Sequence, residues 1–321
     1  MRVSAALPTG VAALLFESAR RRRDAEERLV ARLREAGYSE VILPILDYLE
    51  PYEALLTPAT RGELYRFIDR DGELLALRAD FTPMLARLLA PRLGSLTLPL
   101  RLYYRGDVVR YQEERAGRAR EFYQLGAELL GLAGGAAERE VLRLFLELVT
   151  AGGIEGLQVV LGFAGALDRL LLAGRGGDPL RLAAAVARRE RGEVRRAAAG
   201  RTLLDVVENG VPDRAEELGP EAEGRLLDLY ALRDELATDF PGVLLSIDLA
   251  ELALHTLDPR LTVGEGERSY YDGLVFHAYA GSAAIPVGGG GRYDRLFRAL
   301  GAEVPAVGFS VSLERLLEAA K

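Results

Sequence analysis

The chain contains no cysteine, one lysine and two histidines. Without cysteine there are no disulfides, thiolate nucleophiles or cysteine-ligated metals. The lone lysine, Lys321, leaves no candidate for a Schiff base and no GK[ST] step of a Walker loop. His255 and His277 stand far apart without an HExxH spacing, so no metal site is expected and no cofactor is assigned. No apolar run reaches the length of a transmembrane helix. The apolar stretch Val11 to Phe16 precedes the basic run Arg20 to Arg23, the reverse of a signal peptide's order, so a cytoplasmic location is expected.

What is present fills a globular chain. Its 321 residues give room for one large or two medium domains with a substantial core. Apolar residues make up 49% and charged residues 28%, the balance of a soluble protein. The net charge of -7 argues against a dedicated nucleic-acid binder, which carries a basic face. The Arg20 to Arg23 run is followed at once by Asp24, Glu26 and Glu27, and reads as the solvated face of a helix.

Thr9-Gly10 is a candidate opening for that helix; Leu29, Val30, Leu33 and Ala36 recur at helical spacing, and Gly37 is its stop. Val41 to Leu46 reads as a buried strand carrying Pro44 at an edge or bulge. Leu64 to Ile68 and Leu74 to Leu77 flank an Asp71-Gly72 turn and form a hairpin, with a short helix from Pro83. "LPLRLYYRGDVVRY" and "REFYQLGAELLG" are two long strands joined by a loop from Gln112 to Ala119. In the second, Phe122, Gln124, Gly126 and Glu128 share one face, so the pair gathers Arg110, Gln124 and Glu128 at a cleft. A helix over Ala136 to Leu148, a strand over Leu157 to Gly162 and a helical insertion over 164–238 follow. "GVLLSIDL" and "RSYYDGLVFHAYAG" are strands, with Tyr270 and Tyr271 on opposite faces of the second. "AIPVGGGGRYDRLFRALG" reads as strand, glycine turn and helix, and "PAVGFSVSLERLLEAA" as strand and helix. Few βαβ units and many strands indicate an α+β fold with a mainly antiparallel sheet flanked by helices.

Three blocks carry a resemblance: "GYSEVILPILDYLEP", "YYRGDVVRYQEERAGRAREFYQLGAELLG" and "GGGGRYDRLFRALGAEVPAVGFSVSLERL". In order, they resemble the three signature motifs of class II aminoacyl-tRNA synthetases. "REFYQLGAELLG", "SYYDGLVFHAY" and "GGGGRYD" are similar to the histidyl-tRNA synthetase catalytic domain, from about Leu7 to Leu317. The resemblance implies a six-stranded antiparallel sheet, a homodimer built partly through the first motif, and a histidine pocket. Asp80, Thr82 and Gln124 would hold the α-amino group. Glu128 and Tyr271 would read the imidazole, with Tyr270 and Tyr293 lining it. Arg110 would face the ligand carboxylate or the α-phosphate of ATP, and Arg315 the far end of ATP. The chemistry suits these parts: an ammonium takes a carboxylate and neutral acceptors, and one carboxylate plus one phenol satisfies both ring nitrogens.

Four departures redirect the functional reading. The arginine that the synthetases carry before the double tyrosine aligns with Gly266, with Arg260 and Arg268 as shifted candidates. Losing one such preorganised donor costs roughly 3–4 kcal/mol in a transition state, about a thousandfold in rate. Gln112 stands where the second motif has an acidic residue, and His277 where the family has glutamate; His277 is assigned no role. Only six residues follow Arg315, so no C-terminal anticodon-binding domain, which needs on the order of 100 residues, is expected. The combination resembles the regulatory subunits of ATP phosphoribosyltransferase. That resemblance implies a non-catalytic chain in one synthetase-like domain over 1–321. It would pair with a short catalytic subunit in a hetero-oligomer built on a homodimer. It would activate the first step of histidine biosynthesis and pass on feedback by histidine, without tRNA or membrane. Two alternatives stay open. A minimal histidyl-tRNA synthetase or other histidine-activating paralogue would show pyrophosphate exchange, and a non-catalytic tRNA-binding module would bind tRNA.

Overall fold

The computed structural model describes residues 6–112, 119–173, 178–209, 215–250, 271–281 and 285–320. The chain opens with helix α1 (Glu17–Glu35), whose residues Leu29, Val30 and Leu33 are buried as their spacing predicts. Each such side chain taken out of water stabilises the fold by roughly 2 kcal/mol. Gly37, at φ +82°, stops the helix. The Gly37 N–H donates to Arg34 O and the Tyr38 N–H to Leu33 O, both at 3.0 Å, the paired bonds of a Schellman stop. The helix start differs from the expected Thr9-Gly10. Those residues form a turn, with Gly10 at φ +77°, and the Gly10 carbonyl accepts the Arg120 N–H at 2.7 Å, which ties the segment to the sheet instead.

Strands β1 (Ser39–Glu40) and β2 (Leu46–Tyr48) bracket the expected buried strand over Val41 to Leu46, which does not form. Val41 to Ile45 run as irregular chain, Leu46 opening β2, and Ile42 is 90% exposed. The cause is Arg78, whose guanidinium takes the Leu43 carbonyl at 2.8 Å and the Pro44 carbonyl at 2.9 Å and stacks on Phe81. Carbonyls turned onto a buried cation cannot serve a sheet ladder. Helices α2 (Leu49–Glu53) and α3 (Pro58–Gly62) follow, then β3 (Arg66–Ile68) and β4 (Leu74–Leu77). The last two pair as the expected hairpin, with Asp69 Oδ1 accepting the N–H groups of Asp71 and Glu73 across the turn. Together β2, β4 and β3 form a small antiparallel sheet. Ile42, Ile45, Leu46, Tyr48, Phe67, Ile68 and Leu74 are exposed on and beside it.

Helix α4 (Phe81–Leu89) starts two residues before Pro83, because Asp80 caps it by accepting the Thr82 N–H at 3.1 Å. Strands β5 (Leu100–Val109) and β6 (Glu121–Leu130) pair over their whole length, and α5 (Gly135–Ala151) and β7 (Leu157–Phe163) follow. Among the described residues only helices follow: α6 (Asp168–Ala173), α7 (Pro179–Ala187), α8 (Arg191–Arg196), α9 (Gly200–Asn209), α10 (Ala215–Leu218) and α11 (Pro220–Asp239). Strands β8 (Leu244–Ile247), β9 (Leu274–Ala280) and β10 (Gly288–Arg292), helix α12 (Asp294–Ala299), strand β11 (Ala306–Ser312) and helix α13 (Leu313–Ala319) complete the order.

The large sheet runs β1-β5-β6-β11-β10-β9-β7-β8. From β5 to β7 every pairing is antiparallel, the six-stranded core that the motifs imply; β1 and β8 add parallel edges. The glycine run is not a turn but β10, in the middle of this sheet. A Cβ at Gly288 or Gly289 would come within 2.6 Å of a carbonyl oxygen on the neighbouring strand, so the close approach requires glycine. One face of the sheet packs on α1, α5 and the helices after β7, with Tyr123, Leu125, Ala127 and Leu129 of β6 in that core. The opposite face carries a second cluster of Phe81, Leu85, Tyr104, Val108, Tyr293 and Phe297, and beside it lies the cavity.

Candidate functional site

On that second face a cavity of about 270 Å³ is lined by Asp80, Thr82, Arg110, Gln124, Glu128, Tyr271, Tyr293 and Arg315. Chain segments distant in sequence thus bring together eight of the residues singled out above. Tyr270 lies outside the described residues, as do Arg260, Gly266 and Arg268. Tyr271 precedes β9 rather than lying within it, and its ring packs on Ala164 and Val275.

Glu128 is the deepest of these groups. It projects from β6 opposite Gly308 of β11, where a Cβ would overlap the carboxylate. Gly126, two residues back on the same face, leaves room for the Tyr104 ring. Three hydroxyls point at the carboxylate: Thr82 Oγ1 donates at 2.7 Å, Tyr104 at 3.2 Å, and Tyr293 to the other oxygen. Burial raises the carboxyl, the three hydroxyls lower it by less, and the Asp80 charge raises it further; it reaches about 7. Burial, reinforced by the Glu128 charge, also holds the Tyr104 phenol well above its usual range, so it remains a donor.

Asp80 is set by its loop. The Tyr52 hydroxyl accepts the N–H groups of Ala79 and Asp80 at 2.9 and 2.6 Å and donates to the Asp80 carbonyl at 2.7 Å. Asp80 Oδ2 faces Arg110 Nη2 at 3.6 Å, and Arg110 Nε donates to the Ala79 carbonyl at 2.7 Å. Burial pushes the Asp80 carboxyl up, against the Arg110 charge and the N–H groups of Thr82 and Phe81. Gln124 is buried on the cavity wall. Arg110 and Arg315 stand 5.5 and 6.0 Å from the centre of the Phe122 ring, and Arg315 also donates to the Pro286 carbonyl at 3.0 Å. The cavity therefore brings together two carboxylates, Asp80 and Glu128, and two guanidiniums, Arg110 and Arg315, the charge set of a zwitterion's binding site. Among the described residues no group of three His, Asp or Glu side chains stands as metal ligands would.

Sequence reasoning missed several lining residues. His277 pairs with Gly289 across β9 and β10, and its ring lies against that glycine and lines the cavity. Phe122, Ser310 and Ser312 also line it. The available signal was the strand register: with the glycine run read as a strand, its pairing partner on β9 falls on the cavity side. A second chamber, about 620 Å³, adjoins the first through Gln112, Phe122, Ser312 and Arg315, and the segment Thr9 to Ala12 walls it.

Fold and cavity define a class, that of the histidyl-tRNA synthetase catalytic domain; the family model for histidyl-tRNA synthetase matches residues 10–316. A relative from Moorella thermoacetica, an ATP phosphoribosyltransferase regulatory subunit, is 35% identical over 97% of this chain and 81% of its own. A crystal structure from Bacillus halodurans, described as an ATP phosphoribosyltransferase regulatory subunit/histidyl-tRNA synthetase, superposes with a TM-score of 0.80. It shares 25% identity, over 100% of this chain and 84% of that one. A chain of the ATP phosphoribosyl transferase complex from Thermotoga maritima shares the fold, with a TM-score of 0.67 at 22% identity over 91% and 97% of the two chains. The chain belongs to this synthetase-like family, in its branch of ATP phosphoribosyltransferase regulatory subunits.

Proposed function

We propose that this chain is the non-catalytic regulatory subunit of an ATP phosphoribosyltransferase, and that its cavity holds histidine as the effector. It works with a short catalytic subunit in a hetero-oligomer, in the cytoplasm. The observation that carries the reading is the cavity's charge set, the carboxylates of Asp80 and Glu128 with the guanidiniums of Arg110 and Arg315, in a volume near the lower end of small-molecule sites. That size suits a single amino acid, and full-length similarity to regulatory subunits supports the rest. Asp80, Thr82 and Gln124 take the ammonium, and Glu128 and Tyr271 take the ring. The exposed apolar residues of the small sheet support a homodimer as the building block. Coupling histidine to a distant active site requires only a few kcal/mol between two assembly states. No helix among the described residues is long and apolar enough to cross a membrane.

The second chamber, which Phe122 and Arg315 share with the first, favours one other reading: a histidine-activating enzyme that also seats ATP. Phosphoribosyl-ATP formation by the short catalytic subunit, with and without this chain and with histidine titrated in, separates the two. Activation that histidine reverses is expected. No effect on the transferase, with histidine-dependent pyrophosphate exchange by this chain alone, overturns the regulatory reading.

A further inference from the structure

We propose that Ser312 is the carboxylate-recognising residue of the cavity. Its hydroxyl, with the Arg315 guanidinium one helical turn further on, receives the carboxylate of the bound amino acid. This rests on the histidine reading given above.

Ser312 ends β11 and is only 8% exposed, and its hydroxyl has no hydrogen-bond partner among the described residues. It precedes α13 at the capping position, yet its side chain does not cap that helix. A buried hydroxyl left in this way is uncommon in a folded protein and requires a reason. Its placement supplies one. Across β6 and β11, Glu128 pairs with Gly308, Gly126 with Ser310 and Gln124 with Ser312. These pairs step along the cavity from its acidic floor toward Phe122 and Arg315. Ser312 lines both chambers, at the point where they join.

An amino acid whose ring lies at Glu128 extends its backbone end along this row toward Gln124 and Ser312. Its ammonium goes to Asp80, leaving a carboxylate that needs donors. Arg110 is engaged with the Ala79 carbonyl and faces Asp80, so its guanidinium is already committed to the acidic loop. Ser312 Oγ is enclosed in the ligand-free structure, and a rotation of this short side chain brings the hydroxyl to the incoming carboxylate without breaking any bond to the described residues. Arg315, which also donates to the Pro286 carbonyl, supplies the positive charge from the same turn.

Calorimetric titration of the full chain tests this with two probes, L-histidine and L-histidinol, which bears a CH₂OH group in place of the carboxylate. Wild type is compared with Ser312→Ala and Ser312→Gly. The expected result is that wild type prefers histidine. Both variants then lose about tenfold or more in affinity for histidine, and less than about twofold for histidinol. Ligand-free Ser312→Ala is expected to melt no lower than wild type, because removing an unsatisfied buried hydroxyl takes nothing from the fold. Wild-type binding of histidine that both variants leave unchanged, or an equal loss for both probes, overturns the inference and leaves the histidine reading in place. Failure of wild type to bind histidine at millimolar concentration overturns that reading, and the inference with it.

Discussion

Two glutamates on opposite sides of strand β6 are equally buried, each 1% exposed, and opposite in chemistry. On the helix-covered side, Glu26 of α1 meets Arg23 at 2.6 Å, Arg105 at 2.8 Å and the Tyr123 hydroxyl at 2.6 Å. Burial pushes its carboxyl up. The Tyr123 and Arg23 hydrogen bonds, the Arg23 charge and the Arg105 hydrogen bond together hold it below the usual glutamate range. On the cavity side, Glu128 has as many donors, but its three hydroxyls are neutral, and burial prevails. The difference teaches that burial alone does not decide a carboxylate's role. Paired with cations, Glu26 is a fixed strut joining α1 to the sheet. Surrounded by hydroxyls alone, Glu128 keeps a proton exchangeable near neutrality and an unspent attraction for a positive ligand.

The comparison can be broken in four ways. The largest expected effect is on the strut. Glu26→Gln leaves two arginines facing a neutral amide and should cost about 3 kcal/mol in urea denaturation at pH 7, the low end for a buried pair because both arginines reach solvent. A loss below about 1 kcal/mol would erase the distinction between the two sites. Glu128→Gln should do the reverse: histidine binding weakens by about 1.5–3 kcal/mol in calorimetry, while stability at pH 8 stays level or rises. An equal fall in stability would make Glu128 structural too.

The pH dependence sharpens the contrast. The Glu128 carboxyl rises from about 4.3 unfolded to about 7 folded, so between those values the folded state holds the extra proton. Its stabilising contribution is complete below the unfolded value and lost as pH rises through 7. Glu26 acts oppositely: its contribution is present above the unfolded value and lost as pH falls through the folded one. Subtracting Glu128→Gln from wild type in denaturation series at pH 5 and pH 8 should isolate a decline on the order of 2 kcal/mol; a flat difference refutes it. The smallest effect is expected for Tyr293→Phe, which removes one donor to the charged carboxylate. It should cost about 1 kcal/mol and move the midpoint of that decline to higher pH, read from the same series.

The fold was legible where pattern and chemistry agreed. The spacing of Leu29, Val30 and Leu33, the Asp71-Gly72 turn and the alternation along β6 each name their element without tertiary help. Of the eight cavity residues within the described chain, Arg110, Gln124 and Glu128 were placed together by the strand pair and the other five came from motif resemblance; the convergence of all eight depends on a sheet order that no local pattern encodes. The misreadings have one physical origin: backbone groups claimed by distant partners. Arg78, buried and unremarkable in the sequence, takes the carbonyls that a strand at Val41 to Leu46 would use. The Gly10 carbonyl serves Arg120, so α1 starts later. Gly288 to Gly291 look like a turn by composition, yet they are spaced by strands that approach too closely for any side chain.

That glycine strand has a consequence for how the pocket can change. Gly288, Gly289 and Gly308 make part of the cavity wall out of peptide groups. A wall of side chains is open to gradual adjustment, one methyl at a time. A wall of backbone has nothing to trim, and any substitution there adds atoms where the neighbouring strand already lies. Point mutation can abolish this part of the pocket, but it has few ways to retune it. Changes in ligand preference must therefore enter through the side-chain wall, at Gln124, His277, Ser312 and the arginines beside Phe122.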